Sequence, residues 1–200
     1  MSFDISLPHF EDGAAAFGID EKRFERMQIN STNRAATWIK RVLLVEPFSQ
    51  ATGVRRVIFN DRIRLTRANS NRPEARIVPS SASIPARCYR HRGDSVDGSG
   101  VRARVLVAWW RGEKVAAGFI NPASDRKLPL ATRSVRGRKI TARSKRQHIK
   151  EYRYDYAVPE DAHGPSAAAL FRVAVDDGTR SQAADRLAFE FNQDLDKELF

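Results

Sequence analysis

Arginine and aliphatic side chains alternate near the middle of the chain, and this alternation constrains the fold more than any other feature. Residues 52–77 contain seven arginines, and Arg62 to Leu65 read basic, apolar, basic, apolar. A two-residue repeat places successive side chains on opposite faces of a β-strand. Residues 69–73 (NSNRP) predict a turn, and residues 75–78 begin a return strand that Pro79 interrupts. The stretch therefore predicts a hairpin with arginines on one face and aliphatic side chains on the other.

The arginines of this hairpin have three explanations, which the sequence leaves open. They bind nucleic acid, they are solvated above a hydrophobic core, or they pair with acidic side chains of another subunit.

Charge is unevenly distributed along the 200 residues, whose net charge is +11. Residues 51–150 carry 24 basic and 6 acidic side chains, whereas residues 151–200 carry 5 basic and 11 acidic ones. A basic centre and an acidic end indicate two charge partners. One is a polyanion such as DNA, and the other is the next copy of the same chain.

Apolar residues at three- and four-residue steps predict a long N-terminal helix after an arm at residues 1–18. Asp20 is its predicted N-cap, Pro47 marks its predicted end, and the polar residues 30–33 allow a break. A second such pattern predicts a C-terminal helix with Thr179 and Gln182 as a capping box. Its apolar face is predicted as Ala184, Leu187, Ala188, Phe191, Leu195 and Leu199, and its acidic face as Asp185, Glu190, Asp194, Asp196 and Glu198.

The residues between these helices predict strands. The longest predicted strand is 101–109, and a turn at 111–114 leads into its hairpin partner at 115–120. A weaker strand is predicted at 127–135. A short helix that buries Leu170 and Phe171 is predicted at 166–176. A flexible loop is expected near residues 93–100, and residues 133–153 form a basic segment. The order predicts an α+β fold over residues 19–200, a single domain with a long N-terminal amphipathic helix and a C-terminal helix packed on an antiparallel β-sheet.

Motifs of enzyme chemistry are missing from the sequence. There is no phosphate-binding P-loop, no GxGxxG and no GxSxG. Cys88 is the single cysteine, and the four histidines show no metal-binding spacing. Asp176 and Asp177 lack a third carboxylate at strand spacing, so a helix end is favoured over a metal-dependent nuclease. We therefore expect a protein without enzymatic activity, cofactor or metal.

Targeting signals are also missing. No apolar run approaches the roughly 20 residues of a membrane span, and the first residues do not resemble a signal peptide. Synthesis in the cytosol is the expectation.

The basic segment has two readings. In the first, the segment binds nucleic acid: its phosphates are contacted by Lys139, Arg143, Lys145 and Arg146, and alternate tyrosines stack on its bases. In the second, the segment is solvated or faces another subunit, and the alternate tyrosines belong to an ordinary half-buried strand.

Several segments, in order, resemble the minor tail protein Z family, the tail completion proteins of lambda-like long-tailed phages. The specific likeness lies in residues 33–77 and is carried by Asn33-Arg34-Ala35, Val54-Arg55-Arg56, Arg62-x-Arg64-Leu65-x-Arg67-Ala68 and Pro73-x-Ala75-Arg76-Ile77. Weaker likenesses occur at residues 118–120 and 157–159 and in the C-terminal helix. The acidic C-terminus departs from the more basic ending of the family.

The resemblance implies a structural virion protein at the head-proximal end of a phage tail. Its implied partners are further copies in a ring of sixfold symmetry, the tail terminator, neck and head-completion proteins, the tape measure protein and phage DNA in the channel. No membrane and no catalytic residues are implied, and the protein would be made in the host cytoplasm. The alternative is a free basic DNA-binding protein.

Two groups of residues are candidates for this function. The candidates for a subunit interface or a DNA-lined channel are Arg55, Arg56, Arg62, Arg64, Arg67, Arg76, Lys139, Arg143, Lys145 and Arg146. The family-motif positions are Asn33, Arg34, Pro73, Ala75 and Ile77.

Overall fold

The computed structural model describes residues 2–7, 13–95, 103–120, 129–135, 139–143, 151–155 and 158–199. The fold is α+β, as predicted, with helices packed on antiparallel sheets. In chain order the elements are β1 (Phe3–Ile5), α1 (Gly13–Phe17), α2 (Glu21–Trp38), a π-helical segment (Ile39–Val45), α3 (Glu46–Thr52), α4 (Arg56–Arg62), β2 (Ile63–Thr66), β3 (Ala75–Pro79), β4 (Ser83–Pro85), a 3₁₀ turn (Ala86–Cys88), β5 (His91–Ser95), β6 (Ala103–Trp109), β7 (Gly112–Ile120), β8 (Pro129–Val135), β9 (Lys139–Arg143), β10 (Glu151–Asp155), β11 (Val158–Asp161), β12 (His163–Ser166), α5 (Ala167–Ala174) and α6 (Asp177–Leu199).

The chain divides into two compact units. The first comprises residues 1–83, 109–111 and 165–200, and the second comprises residues 84–108 and 112–164. The single domain expected over residues 19–200 stays a prediction.

The long N-terminal helix continues beyond Pro47, so its predicted end was wrong. Asp20 caps α2 as predicted, because its Oδ2 accepts a hydrogen bond from the backbone N–H of Arg23 at 3.3 Å. The helix passes through the π-helical segment into α3 and ends at Gly53, whose φ of 77° is favourable for glycine. The wide π-helical turns shift the hydrogen-bond ladder immediately before Pro47. Pro47 then lies in the first turn of α3, where a missing N–H is tolerated.

The polar residues at 30–33 do not break α2. The hydroxyl of Ser31 donates to the carbonyl of Met27 at 2.7 Å, four residues earlier in the same helix. Ser31 and Thr32 are buried. A hydroxyl that bonds back to its own helix satisfies its polar group without interrupting the backbone ladder.

The predicted arginine hairpin is confirmed as β2 and β3. The strands are antiparallel, and the register pairs Ile63 with Pro79 and Leu65 with Ile77. Strand β1 pairs with the other side of β3, so the strand order is β1-β3-β2. The predicted turn closes through two backbone hydrogen bonds between Asn69 and Arg72.

The two faces of this three-stranded sheet differ as the alternation predicted. Ile63, Ala75 and Ile77 are fully buried on the face against which α2 packs. Arg64 and Arg76 are exposed on the other face. One aliphatic residue, Val78, shares that outer face and is 37% exposed.

Helices α5 and α6 complete the first unit. Leu170 and Phe171 are buried in α5, as predicted, and the hydroxyl of Ser166 caps this helix by accepting from the N–H of Ala169. The predicted capping box at Thr179 was wrong, because α6 begins earlier. Asp176 caps it instead, with Oδ1 accepting from the N–H of Thr179 at 2.8 Å.

The buried face of α6 is rotated from the predicted one. Ala183, Leu187 and Phe191 are buried, whereas Ala184, Ala188 and Leu199 are exposed. The largest difference is Glu190, which was assigned to the acidic outer face and is instead 4% exposed. Its ion pairs, described below, account for this burial.

The second unit is mainly antiparallel sheet. Its larger sheet runs in the order β11-β8-β7-β12-β4, with β6 beside β7 and β5 beside β6, while β9 and β10 form a hairpin. The longest described strand is β7, with nine residues, rather than the predicted strand at 101–109. The turn before it lies at residues 110–111, earlier than predicted. Residues 93–95, assigned to a flexible loop, belong to β5, and residues 96–100 lie outside the described residues.

Gly118 is required where β7 meets β8. Its φ is 154°, a conformation that L side chains rarely adopt. A Cβ atom at this position would lie 2.7 Å from the Cβ of Ala162 and closer still to the carbonyl oxygen of Leu130. The close backbone approach therefore excludes any side chain here.

Candidate interaction surface

The outer face of the hairpin contains paired and unpaired arginines. Arg76 donates from Nε to Oδ1 of Asp4 at 2.6 Å, and its Nη2 lies 3.5 Å from Oε1 of Glu74. Arg64 and Arg67 are exposed and have no ion-pair partner among the described residues. The strand register places Arg64 directly opposite the exposed Val78. This face therefore offers unneutralised cations beside an apolar side chain.

Helix α4 presents a second group of arginines. Arg56 is paired with Glu46, with 3.4 Å between Nη1 and Oε1, whereas exposed Arg55 has no ion-pair partner in the described part of the chain. Val57 follows them and is 68% exposed. Arg62 is half-buried, and its carbonyl accepts a hydrogen bond from Ser80 at 2.7 Å, so it contributes more to the hairpin than to the surface.

The basic segment is described only in part. Lys139 and Arg143 are the end residues of β9, where the register sets them opposite Asp155 and Glu151 of β10. Lys145 and Arg146 lie outside the described residues.

Asn33 connects the first helix to the arginine hairpin. Its side-chain Nδ2 donates to the carbonyl of Ala68 at 3.1 Å, and its Oδ1 accepts from the N–H of Ala68 at 2.8 Å. Ala68 follows β2, so this contact ties the end of the arginine strand to the middle of α2.

Arg34 belongs to an ion-pair network between α2 and α6. Its Nε donates to Oε2 of Glu190 at 2.7 Å, and its Nη2 donates to Oδ2 of Asp194 at 2.5 Å. Arg186 also donates to Glu190 and lies over the ring of Trp38, 5.1 Å from its centroid. Burial alone would lower the pKa of Arg34, but the hydrogen bonds to Glu190 and Asp194 outweigh it and raise that pKa. The network fixes the guanidinium in place.

Sequence reasoning missed the acidic half of this network. The signal that was available is the spacing of Ala183, Leu187, Glu190 and Asp194, which lie at steps of four, three and four residues and therefore share one face of α6. An acid within an apolar stripe indicates a buried partner, since an unpaired buried charge is very costly.

The remaining motif positions shape the hairpin. Ala75 and Ile77 are fully buried in β3. Pro73 follows the turn, in which Oδ1 of Asn69 accepts from the N–H groups of Asn71 and Arg72. Such an Asx turn fixes the reversal between the strands. Pro73, Ala75 and Ile77 therefore shape the hairpin that carries the arginines.

The described residues contain no group of three or more histidine, cysteine or acidic side chains that could bind a metal ion. A cleft of about 390 Å³ lies between α2 and α6 and is lined mainly by charged side chains, among them Arg23, Arg26 and Lys197. Within the same residues, no helix has the length and apolar character of a membrane span.

The fold is therefore an α+β fold in which the hairpin presents exposed arginines on its outer face. Comparison with protein-family models, curated proteins and solved structures found no match.

Proposed function

We propose that this chain is a tail completion protein of a long-tailed phage. In this proposal it is a non-enzymatic structural subunit of the virion, and copies form a ring at the head-proximal end of the tail. The observation that carries the proposal is the set of exposed arginines without ion-pair partners in the described residues, Arg55, Arg64 and Arg67, on or beside a well-ordered hairpin. Cations held on rigid elements next to exposed valines suit recognition of another macromolecular surface.

The arrangement of the motif positions supports the same proposal. The two segments with the most specific likeness to the minor tail protein Z family meet at Asn33 and Ala68. Arg34 anchors the first segment to α6, and Ala75 and Ile77 anchor the second in the core. The shared residues thus form one structural unit that presents the arginines.

The separation of basic and acidic surfaces supports the proposed ring. Ring subunits associate through two different faces, and complementary charge fixes their orientation and rejects wrong partners. The exposed arginines of the hairpin and the exposed acids of α6, Asp185 and Asp196 among them, provide such faces. The proposed partners are further copies of the chain, which form a ring of six. The other proposed partners are the tail terminator, neck proteins, the tape measure protein and the phage DNA in the channel of the ring.

Charge reversal on the hairpin tests this function. In the phage whose genome encodes the chain, Arg55→Glu and Arg64→Glu should leave the purified protein folded and abolish most infectious particles. Arg172→Glu is the matched control, since Arg172 is an exposed arginine of α5 and is not part of the hairpin. Normal particle yield from both hairpin variants would contradict the proposal.

The same unpaired arginines favour one alternative, a free DNA-binding protein. Binding through several phosphate contacts weakens by a factor of about 10³–10⁵ between 50 and 200 mM salt. A gel-shift series with duplex DNA and the isolated chain across that range discriminates the two functions. Tight binding at low salt with a steep salt dependence, lost in Arg64→Glu, would favour the alternative.

A further inference from the structure

The sheet β1-β3-β2 ends in two strands whose outer edges pair with no described strand. Antiparallel pairing alternates residues whose backbone groups bond the neighbouring strand with residues whose groups point away. The N–H of Ser80 donates to the carbonyl of Arg62 at 2.7 Å, which sets this alternation for β2. Counting along the register, Arg64 and Thr66 bond β3, while Leu65 directs its N–H and C=O groups outward. The N–H of Ile63 is already bonded to the carbonyl of Phe59 at the end of α4, so the open edge of β2 begins at Leu65.

The same alternation extends to β1. The backbone groups of Arg76 and Val78 face β2, so those of Ala75 and Ile77 face β1 and bond Ile5 and Phe3. Asp4, between them, therefore directs its N–H and C=O groups outward. Unpaired edges of this kind are templates for another strand.

The outer edge of β1 opens into a groove against α6. Residues 3–6 form one wall, and Arg180, Ala183, Ala184 and Leu187 form the other, around a volume of about 180 Å³. Two alanines in succession leave space that a larger side chain would fill. The groove is therefore lined by small and apolar side chains of α6 together with polar ones such as Asp4 and Ser6, and the outward backbone groups of Asp4 border it.

We infer that β2 of one copy docks on β1 of the next, with Leu65 inserted into this groove. Strands β1 and β2 are both antiparallel to β3 and so run parallel to each other. In a ring, every copy has the same direction along the axis, so the junction is a parallel strand pair. Because the two edges differ, the contact is head to tail, the type that closes into rings. The inference deepens the proposed function and rests on it for the ring symmetry.

Side chains on both faces of the junction are complementary. Leu65 projects to the same side of the sheet as Ile77, yet it is only half-buried within its own chain. In the joined sheet, it would lie on the α6 side of β1, over Ala183 and Ala184. On the outer side, the unpaired Arg64 would approach Asp4 of the next copy, where Arg76 already lies 2.6 Å from that carboxylate. One acid would then bridge arginines of two subunits.

Filling the groove tests the junction. Wild-type protein, in a concentration series followed by sedimentation velocity, should form oligomers. Ala184→Trp should remain monomeric, because the indole would occupy the space of Leu65. Ala188→Trp is the matched control, since Ala188 is exposed one turn further along α6 and does not line the groove. Association of Ala184→Trp equal to wild type would overturn the inference, as would a wild-type protein that is monomeric at every concentration.

A disulfide identifies the contacting residues directly. In a Cys88→Ser background, Leu65→Cys with Ala184→Cys should give a ladder of cross-linked species under mild oxidation. Within one chain, β3 and β1 separate these positions by two strand spacings, about 10 Å, beyond the roughly 7 Å that a disulfide spans. Leu65→Cys with Ala188→Cys is the control and should not cross-link. If the protein forms oligomers but this disulfide does not form, the proposed junction between β2 and β1 is wrong and the proposed function is unaffected. If the cross-linked ladder forms but Arg55→Glu and Arg64→Glu give a normal yield of infectious particles, only the proposed function is wrong.

Discussion

The side-chain amide of Asn33 binds the backbone of Ala68, 35 residues away, through both its donor and its acceptor. An amide is the side chain that best reproduces a strand's own backbone pair, since it donates and accepts in one plane. This contact holds the end of β2 against α2. The orientation of the arginine hairpin therefore depends on a residue in the first helix.

Removing this amide should destabilise the fold. We expect Asn33→Ala to lower the free energy of unfolding by about 1–3 kcal/mol, because it leaves the N–H and C=O of Ala68 without partners. Asn30→Ala is the control, since Asn30 is an exposed position of the same helix. It should change stability by less than about 0.5 kcal/mol. Urea unfolding of both variants measures the difference, and equal effects would contradict the role of Asn33.

The ion pair between Arg34 and Glu190 should couple α2 to α6. The side chain of Glu190 is 5% exposed and that of Arg34 is 42% exposed, so solvent screens the pair only partly. A double-mutant cycle with Arg34→Met and Glu190→Gln should give a coupling energy of about 1 kcal/mol.

The exposed pair Arg180 and Asp177 provides the control for that cycle. Asp177 is 99% exposed, so its cycle should show no measurable coupling. A coupling energy of zero for Arg34 and Glu190 would mean that the network is only a consequence of packing.

The cap at Asp176 should make stability dependent on pH in the acid range. Hydrogen bonds from the backbone N–H and the hydroxyl of Thr179 lower the pKa of Asp176. The pKa of this carboxylate is lower in the folded protein than in the unfolded chain, where it is about 3.9. The charged cap therefore stabilises the folded state fully above the unfolded pKa, and this contribution disappears as pH falls through the folded pKa. Asp176→Ala should therefore reduce the unfolding temperature at pH 7, and this effect should disappear as pH falls through the lowered pKa of Asp176.

Asp185→Ala is the matched control for that cap. Asp185 is an exposed acid further along α6. Thermal unfolding followed by circular dichroism at several pH values compares the variants. An Asp176→Ala effect that is constant from neutral to strongly acidic pH would disprove the role of the charged cap.

A side chain at Gly118 should disrupt the second unit. Gly118→Ala combines an unfavourable φ with collisions against Leu130 and Ala162. Gly112→Ala is the control for conformation alone, because Gly112 has a φ of 139° and nothing lies within 4 Å of its added Cβ. We expect Gly118→Ala to be less stable than Gly112→Ala by roughly 1–3 kcal/mol. Chemical unfolding measures the difference, and equal stability would show that the strands separate to accept the methyl group.

Local patterns predicted much of the first unit. The alternation at residues 62–65 predicted β2, the NSNRP turn predicted its reversal, and the exposure of Arg64 and Arg76 followed from the same repeat. The N-cap at Asp20 and the burial of Leu170 and Phe171 were also correct. Each depends on residues close in sequence, so periodicity and capping preferences are sufficient.

Errors arose where a distant partner or an unusual turn decided the outcome. Pro47 did not end the helix, because π-helical turns shifted the ladder before it. Residues 93–95 joined a strand despite their glycine and aspartate, because β6 supplied a partner for them. Candidate residues Lys145 and Arg146 lie outside the described residues.

By itself, the sequence determined which segments alternate and which are amphipathic, since these properties follow from backbone geometry and side-chain type. Only the tertiary structure decided that Glu190 is buried between two arginines and that Asn33 binds Ala68. It also decided which exposed arginines have no ion-pair partner among the described residues, because Asp4 and Glu46 reach Arg76 and Arg56 but not Arg64 or Arg55. Pairing across 35 or 156 positions depends on how elements pack, and no local pattern contains that information.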